Sequence, residues 1–573
     1  MKFKLNPLPR QFAASVMLYM FAARAFANPT GLSVSFGSAL AQQTGSQLNI
    51  TAGNNAVLNW QTFNIAAGEK TIFNQPSPTS IAWNHVSDPN PSQIFGTIQA
   101  NGVVVLLNSS GFYFGPNSFV SAAGLVVSTA NCPPPQNGGG IWEFNGPPPL
   151  ASIINYGTIK VGNGGSAFLI ADKVENHGDI QAPGGTIGLA AGQTVTLSER
   201  PDGRGMSMEV TLPAGSVNNY GNLIADAGTI ALNAKVVNQN GFIQANSVQN
   251  QNGIIELVAA DSLNLGANST ILANGDASSG GSAGGSVTLK ADNSFSDETG
   301  SFVGVAGGAN GGHGGQIEVS APKMPSIHTR MDATARNGAK GGKLLLDPDY
   351  IILDNSGGDS AGSGTVAVGD NAGSTLDLNV NSAFVGFNQI TLQAKYDISL
   401  ADGTTWSLSD STGQSSGQLV LAAGRNILFG NTDSSGNVAG IFDANNWSVA
   451  LYAGVSDFNL NQVSPGAGSI FLNAYDPNNS GNGFDPYNPG NGFVQTASGA
   501  ITMVAGQDIT VGAGKVITTG GGSIDAHALS GTIVTGGYAQ GYVFKSAGSP
   551  ANGYSVDAAA LVGGFSTIAG GDV

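Results

Sequence analysis

A single cysteine, Cys132, stands in 573 residues, so no intramolecular disulfide can form and the thiol is expected to behave as a small hydrophobe. Charge is equally scarce. Asp, Glu, Lys and Arg make up 10% of the chain, against about 25% in ordinary soluble domains, which argues against a globule with a broad solvated surface. The 36 acidic residues outnumber the 20 basic ones, for a formal net charge of −16, and no dense Lys/Arg cluster occurs beyond the N-terminus. Nucleic-acid binding, which needs a basic face, is excluded on that balance. His85, His177, His313, His328 and His527 are scattered, with no H-x-x-x-H or Cys/His set, so neither a metal site nor a cofactor is expected. Calcium repeats of the G-G-x-G-x-D type do not form an array, and Gly522-Ser523-Ile524-Asp525 reads as a turn. Beyond the N-terminus no apolar run has the length of a transmembrane helix.

What the chain does have is glycine, 85 residues of it, together with 41% hydrophobic residues. Glycine breaks helices and supplies turn conformations, so this pairing predicts many short strands joined by tight turns. The start is different: Lys2, Lys4 and Arg10 precede an apolar stretch from Phe12 to Ala23, followed by Ala25-Phe26-Ala27. These are the parts of a secretory signal peptide over residues 1–27, with cleavage between Ala27 and Asn28.

From about residue 150 the sequence repeats. Asn155-Tyr156-Gly157-Thr158-Ile159, Asn176-His177-Gly178-Asp179-Ile180 and Asn219-Tyr220-Gly221-Asn222-Leu223 share N-x-G-x-[IL]. The first step is 21 residues and the second 43, read as two such steps; a looser copy, Gln239-Asn240-Gly241-Phe242-Ile243, lies 20 further on. Alternating apolar runs interleave, beginning at Thr186, Thr229, Gly285, Gly315, Gln418 and Ala500. A unit of this size cannot bury its apolar face alone and must stack on a copy of itself. The prediction is all-β, a right-handed parallel β-helix with Asn stacked on Asn at the turns, roughly 25 coils forming a rod on the order of 100 Å. Past residue 270 the spacing loosens, with Ile230 to Ile255, Ile255 to Val287 and Val287 to Ile317 at 25, 32 and 30 residues. Gly/Ser/Asn runs fill the difference and read as loops bulging from the coils, the longest over 477–492. The last residues, Ala569 to Val573, resemble Ala505-Gly506-Gln507-Asp508-Ile509, which leads into a further strand, so a fragment of a longer chain is expected. The expected divisions are 28–145, 146–345 of regular repeats, and 346–573 of less regular ones.

Residues 28–145 are richer in aromatics and suit a β-helix cap plus the first coils. They hold Trp60, Phe63, Asn64 and Ile65; then Asn84, His85 and Val86; then Ser92, Ile94, Gly96, Ala100, Asn101 and Gly102; and finally Leu106-Leu107-Asn108-Ser109-Ser110-Gly111-Phe112-Tyr113-Phe114-Gly115. In that order and spacing they resemble the secretion domain of two-partner secretion exoproteins, the filamentous haemagglutinin N-terminal or TPS family, whose members show W-x-x-F-N-I, N-R-V, S-x-I-x-G-x-[IL]-x-A-N-G and L-x-N-P-N-G-I-x-F-G. Here Ser109-Ser110 replace Pro-Asn and His85 replaces Arg, while Asn108 and Gly111, the residues suited to a turn, remain. The resemblance implies export to the periplasm, recognition of residues 28–145 by a cognate outer-membrane β-barrel transporter, passage in extended form and folding outside. It places recognition at Asn108, Ser109, Ser110, Gly111 and Phe112, with Trp60, Phe63, Asn64, Asn84, Ser92, Gly96, Asn101 and Gly102 as the supporting motif, and an adhesin downstream whose receptor is not specified.

Catalytic patterns are weak. Three G-x-S-x-G matches begin at Gly280, Gly358 and Gly413; a nucleophile elbow needs strand, turn and helix, and strands are expected to follow these. Asp347-Pro348-Asp349 is the nearest carboxylate pair, read as a strand-to-turn element because nothing nearby in sequence supplies a partner. A non-enzymatic exoprotein is therefore expected, with a β-helical polysaccharide lyase or hydrolase, or the carrier stem of a contact-dependent toxin, as alternatives.

Overall fold

The computed structural model describes residues 28–134, 140–148, 150–200, 206–277, 281–355, 375–431, 433, 435–472, 492–512, 514–535, 544–546, 555–556 and 564–573. The signal segment, Ala27 included, the 358–362 motif and most of the 477–492 loop lie outside the described residues.

The alternating runs stack as their spacing demands. Ala56, Ala82, Val104, Leu125, Ala167, Ile187, Ile230, Ile255, Val287, Ile317, Leu344, Ile390, Leu419, Val449, Ile501 and Ile524 sit in register on successive parallel strands. Every one is 4% exposed or less, so one apolar column runs through the interior. A second sheet stacks alongside from Gln47–Ala52 to Arg330–Asp332, and seven- and five-stranded sheets continue the later coils. The molecule is a parallel β-helix, interrupted among the described residues by one short helix, Leu408–Thr412. The 25-, 32- and 30-residue steps each span one coil, since the residues that define them are direct register partners.

Two expectations change. Sixteen levels stack in the main column, not 25, giving a height of about 70 Å at the usual inter-strand spacing, because insertions lengthen many coils. The 43-residue step is one coil: Asn176 pairs directly with Asn219. The extra length is a hairpin, Gly192–Glu199 and Met206–Pro213, which leaves the coil and joins Ile141–Asn145 in an antiparallel flap. Coils are present within 28–145, where the repeat signature is absent. Only Ser33–Phe36 and Ala39–Thr44, antiparallel to Ala56–Trp60 and Gln47–Ala52, behave as a cap.

The flap exists because the outer face of the early coils is also apolar. Val57, Trp83, Val105, Val126 and Phe168 point outward, and the flap covers them with Trp142, Phe144, Val195 and Leu197. Trp83 meets Trp142 at 5.1 Å between ring centroids. Cys132 is fully buried in this second core, and burial pushes its thiol pKa up to about 12.

At the corner of the coils the N-x-G motif has a direct cause. Asn155 Nδ2 donates to Asn176 Oδ1 at 2.8 Å, Asn176 Nδ2 to Asn219 Oδ1 at 2.9 Å, and Asn219 Nδ2 to Gln239 Oε1 at 2.8 Å. All four side chains are buried. The following glycines are forced by close approach: a Cβ on Gly178 would collide with the carbonyl of Gly157, and one on Gly221 with that of Gly178. Between them, Tyr156, His177 and Tyr220 stack on the outside at 4.3 and 4.9 Å.

Candidate secretion site in the first coils

The quoted motif residues fall on three successive coils. Trp60 is buried against Phe63, ring edge to face at 5.8 Å, and its Nε1 donates to Asn84 Oδ1 at 3.0 Å. Asn84 lies in register between Leu58 and Leu106, in the apolar column, and its Nδ2 donates to the carbonyls of Ala82 and Val105. A buried amide in such a place must be fully paired, which explains why Trp60 accompanies it. Neighbouring His85 is half-buried, and burial lowers its pKa.

Asn64 Oδ1 accepts from the Gln93 amide at 2.7 Å, tying the W-x-x-F-N-I corner to the coil above. Asn101 holds Gln75 from both sides, accepting from its amide and donating to its carbonyl, each at 2.7 Å. Gly96 and Gly102 permit two close crossings: a Cβ would strike the Glu69 and Ala66 carbonyls in one case, and the Gln75 side chain and Ser80 carbonyl in the other.

The 108–111 turn links the strands Val103–Asn108 and Phe112–Phe114. Asn108 is 1% exposed; its Oδ1 accepts from the Ser110 amide at 2.9 Å, and its Nδ2 donates to Ser92 Oγ at 3.0 Å and to the Asn90 carbonyl at 3.2 Å. Gly111 has φ +110°, where a Cβ would stand 2.5 Å from the Ser152 carbonyl. Ser110 Oγ donates to the Asp88 carbonyl at 2.9 Å, and Phe112 is buried beside Phe114. Of the five turn residues only Ser109 is exposed. The sequence motif is thus mainly an inward-facing network that fixes three coils in register, with the seryl tip outside.

Two polar anchors were not anticipated. Gln75 Nε2 donates to the carbonyls of Ser80 and Val103, and Asn28 is bound to Thr71 Oγ1 and the Ser46 carbonyl. Gln75 follows an aromatic strand directly, a visible signal; Asn28 had none. Beside the flap a cavity of about 540 Å³ is lined by Ile81, Val103, Val126, Trp142, Phe168 and Met206, with Glu199 and Arg200 among its walls.

The weak catalytic motifs do not form elbows. At Gly413-Gln414-Ser415-Ser416-Gly417 a helix precedes and a strand follows, the reverse order. Ser282 is buried, with its hydroxyl on the Gln249 carbonyl at 3.3 Å. Gly522 and Ser523 lie in the connection between the strands Lys515–Thr518 and Ile524–Ala528, and Ile524 and Asp525 already belong to the second. Asp347-Pro348-Asp349 does join two strands, yet Asp347 has partners supplied by other coils: Ser320 Oγ donates to it at 3.1 Å, and Lys290 is near. Burial raises the pKa of Asp347, and that of Glu318, whose charge Asp347 also opposes. Among the described residues no three His, Cys, Asp or Glu side chains converge as metal ligands.

Residues 27–272 match the model of the TPS secretion domain. That segment therefore carries a TPS secretion domain, the domain of two-partner secretion exoproteins. It is similar to a heme/hemopexin-binding protein of Haemophilus influenzae strain KW20 / Rd, 30% identical over 249 residues, covering 41% of this chain and 27% of that protein. A second heme/hemopexin-binding protein from H. influenzae is 25% identical over 267 residues, 41% of this chain and 28% of the relative. The chain thus spans little more than a quarter of the curated relatives it matches. The crystal structure of the HMW1 secretion domain from H. influenzae aligns with 88% of this chain and all of that one, at 20% identity and a TM-score of 0.44.

Proposed function

We propose that this chain is exported through the periplasm by a cognate outer-membrane β-barrel transporter, and that the transporter reads the first coils, residues 28–145, at the 108–111 turn. The observation that carries this reading is the TPS secretion domain match over 27–272, joined to a buried polar network that positions one exposed residue, Ser109, at the turn tip. Asn108, Gly111 and Phe112 act by shaping the turn; Trp60, Asn84, Ser92 and Asn101 act by holding the coils beneath it. The apolar alternation supports passage in extended form, because no coil is complete until its neighbour stacks on it. Site-specific crosslinking from position 109 in cells tests this: a covalent product with the transporter is expected from 109, and none from an exposed position on the late coils, such as Leu529. Crosslinking from 529 but not from 109 would refute the assignment.

A long exposed solenoid surface supports adhesion or ligand capture as the activity downstream of export. The two H. influenzae relatives favour a second reading, binding of heme or hemopexin; titration of the purified chain with each, followed by visible absorbance and by pull-down, separates it from adhesion to cells.

A further inference from the structure

We propose that the outer face of the coils between residues 316 and 393 is a binding groove for an extended, neutral oligosaccharide. Gln316, Lys343 and Gln389 are register partners on three successive strands, so their side chains form a row along the long axis with a spacing of about 4.8 Å. Leu345 and Thr391 form the adjacent row, continued by Val420. A hairpin, Val455–Asp457 and Gln462–Val463, leaves a later coil, and its tip faces these rows: Gln393 Nε2 donates to the Phe458 carbonyl at 3.3 Å. The space between tip and coils has a volume of about 300 Å³.

The lining chemistry selects the ligand class. Gln and Asn heads each offer a donor and an acceptor side by side, which suits neighbouring sugar hydroxyls, while Leu345, Val420 and Phe458 supply an apolar floor for the C–H face of a ring. The side chains of Gln316, Lys343, Gln389 and Thr391 have no hydrogen-bond partner among the described residues. Asn461, at the hairpin tip with φ +48°, lines the groove, and its Oδ1 is buried without a donor among the described residues. A buried acceptor left unpaired is costly, and a ligand hydroxyl would satisfy it. Polyanions are disfavoured: Glu318 and Asp347 lie on the same outer face, two residues along from Gln316 and Leu345, and among the described residues the groove itself holds one cation, Lys343. Because the rows repeat with each coil, a chain of rings running along the axis meets one coil per ring.

The test is calorimetric titration of the purified full chain with three neutral hexasaccharides, β-1,4-linked glucose, N-acetylglucosamine and mannose, and with hexagalacturonate as the anionic counterpart. At least one neutral ligand should bind saturably, and its affinity should fall about tenfold or more in Gln389→Ala and in Asn461→Gly; the glycine keeps the left-handed backbone and removes the carboxamide. Asn250→Ala, exposed on a distant turn, should leave it unchanged. Absence of binding by all three, equal binding by the two groove variants at unchanged thermal stability, or preference for hexagalacturonate would overturn the proposal. Binding is read on purified chain, so failure of the transporter assignment would not alter it.

Discussion

The amide ladder gives a quantitative prediction through Asn176→Ala. The side chain donates to Asn219 Oδ1 at 2.9 Å and to the Gly178 carbonyl at 3.1 Å, and accepts from Asn155 at 2.8 Å. Removing it leaves Asn219 Oδ1 buried without a donor among the described residues, while the Gly178 carbonyl keeps the Asn222 amide at 2.9 Å and Asn155 Nδ2 keeps the Gly157 carbonyl at 3.3 Å. At ~1–3 kcal/mol for an orphaned group, the loss is about 2 kcal/mol. Gln239→Ala, at the end of the ladder, orphans no group, because Asn219 Nδ2 retains Gly221 and the Gly241 carbonyl retains the Thr270 amide; about 1 kcal/mol is expected there. A solenoid opens locally, so native-state hydrogen exchange is the suitable assay. The His177 and Tyr220 amides, bonded to the Asn155 and Asn176 carbonyls, should exchange about thirtyfold faster in Asn176→Ala. Amides of the Gln316–Ser320 strand, far along the column, should not change. Equal losses in both variants, or unchanged protection at 177 and 220, would refute a ladder whose interior members matter most.

Cys132, buried with its pKa near 12, should resist iodoacetamide at pH 8 in the folded chain and react fully in denaturant; prompt labelling when folded would contradict the flap core. Asp377 has its pKa raised to about 6, mainly by burial and then by the charge of Asp354. The folded state therefore holds this proton more tightly than the unfolded state. Its stabilising contribution is complete below about pH 4 and is lost as pH rises through 6. Asp377→Asn should accordingly stabilise the chain at pH 7.5, by about 1 kcal/mol after allowance for solvent screening, and leave it unchanged at pH 3.5; the opposite pH order in thermal melts would exclude this environment.

The interior of the fold was legible because it rests on local spacing. Ile230, Ile255, Val287 and Ile317 could be aligned by eye, since each sits in an alternating run bounded by glycine, and loops of any length can separate them without disturbing the stack. The flap was missed because counting in units of 21 concealed it: the 43-residue step was divisible by two. A truer signal lay in the alternating runs Thr194–Leu197 and Glu209–Leu212 on either side of Pro201-Asp202-Gly203, a hairpin pattern. The early coils lack the N-x-G signature for another reason. Ile94 and Phe114 stand in register with Asn155 at the corner, so the same three-dimensional repeat carries a different sequence. At the secretion motif, the residue types were visible but their direction was not. Asn108 faces inward and Ser109 outward, and only the stacking of Ser92 beneath the turn decides which.

The central claim is recognition of the first coils by a transporter, and the most direct measurement is release of the chain from a bacterial host with and without the candidate transporter. Wild type, Ser109→Asp, Asn108→Ala and Gly111→Ala would be compared, with periplasmic levels followed in parallel. The account predicts release only with the transporter, impaired in Ser109→Asp at wild-type periplasmic stability, and impaired further in the two variants that collapse the turn. Release that needs no transporter, or that is indifferent to all three substitutions, would contradict it.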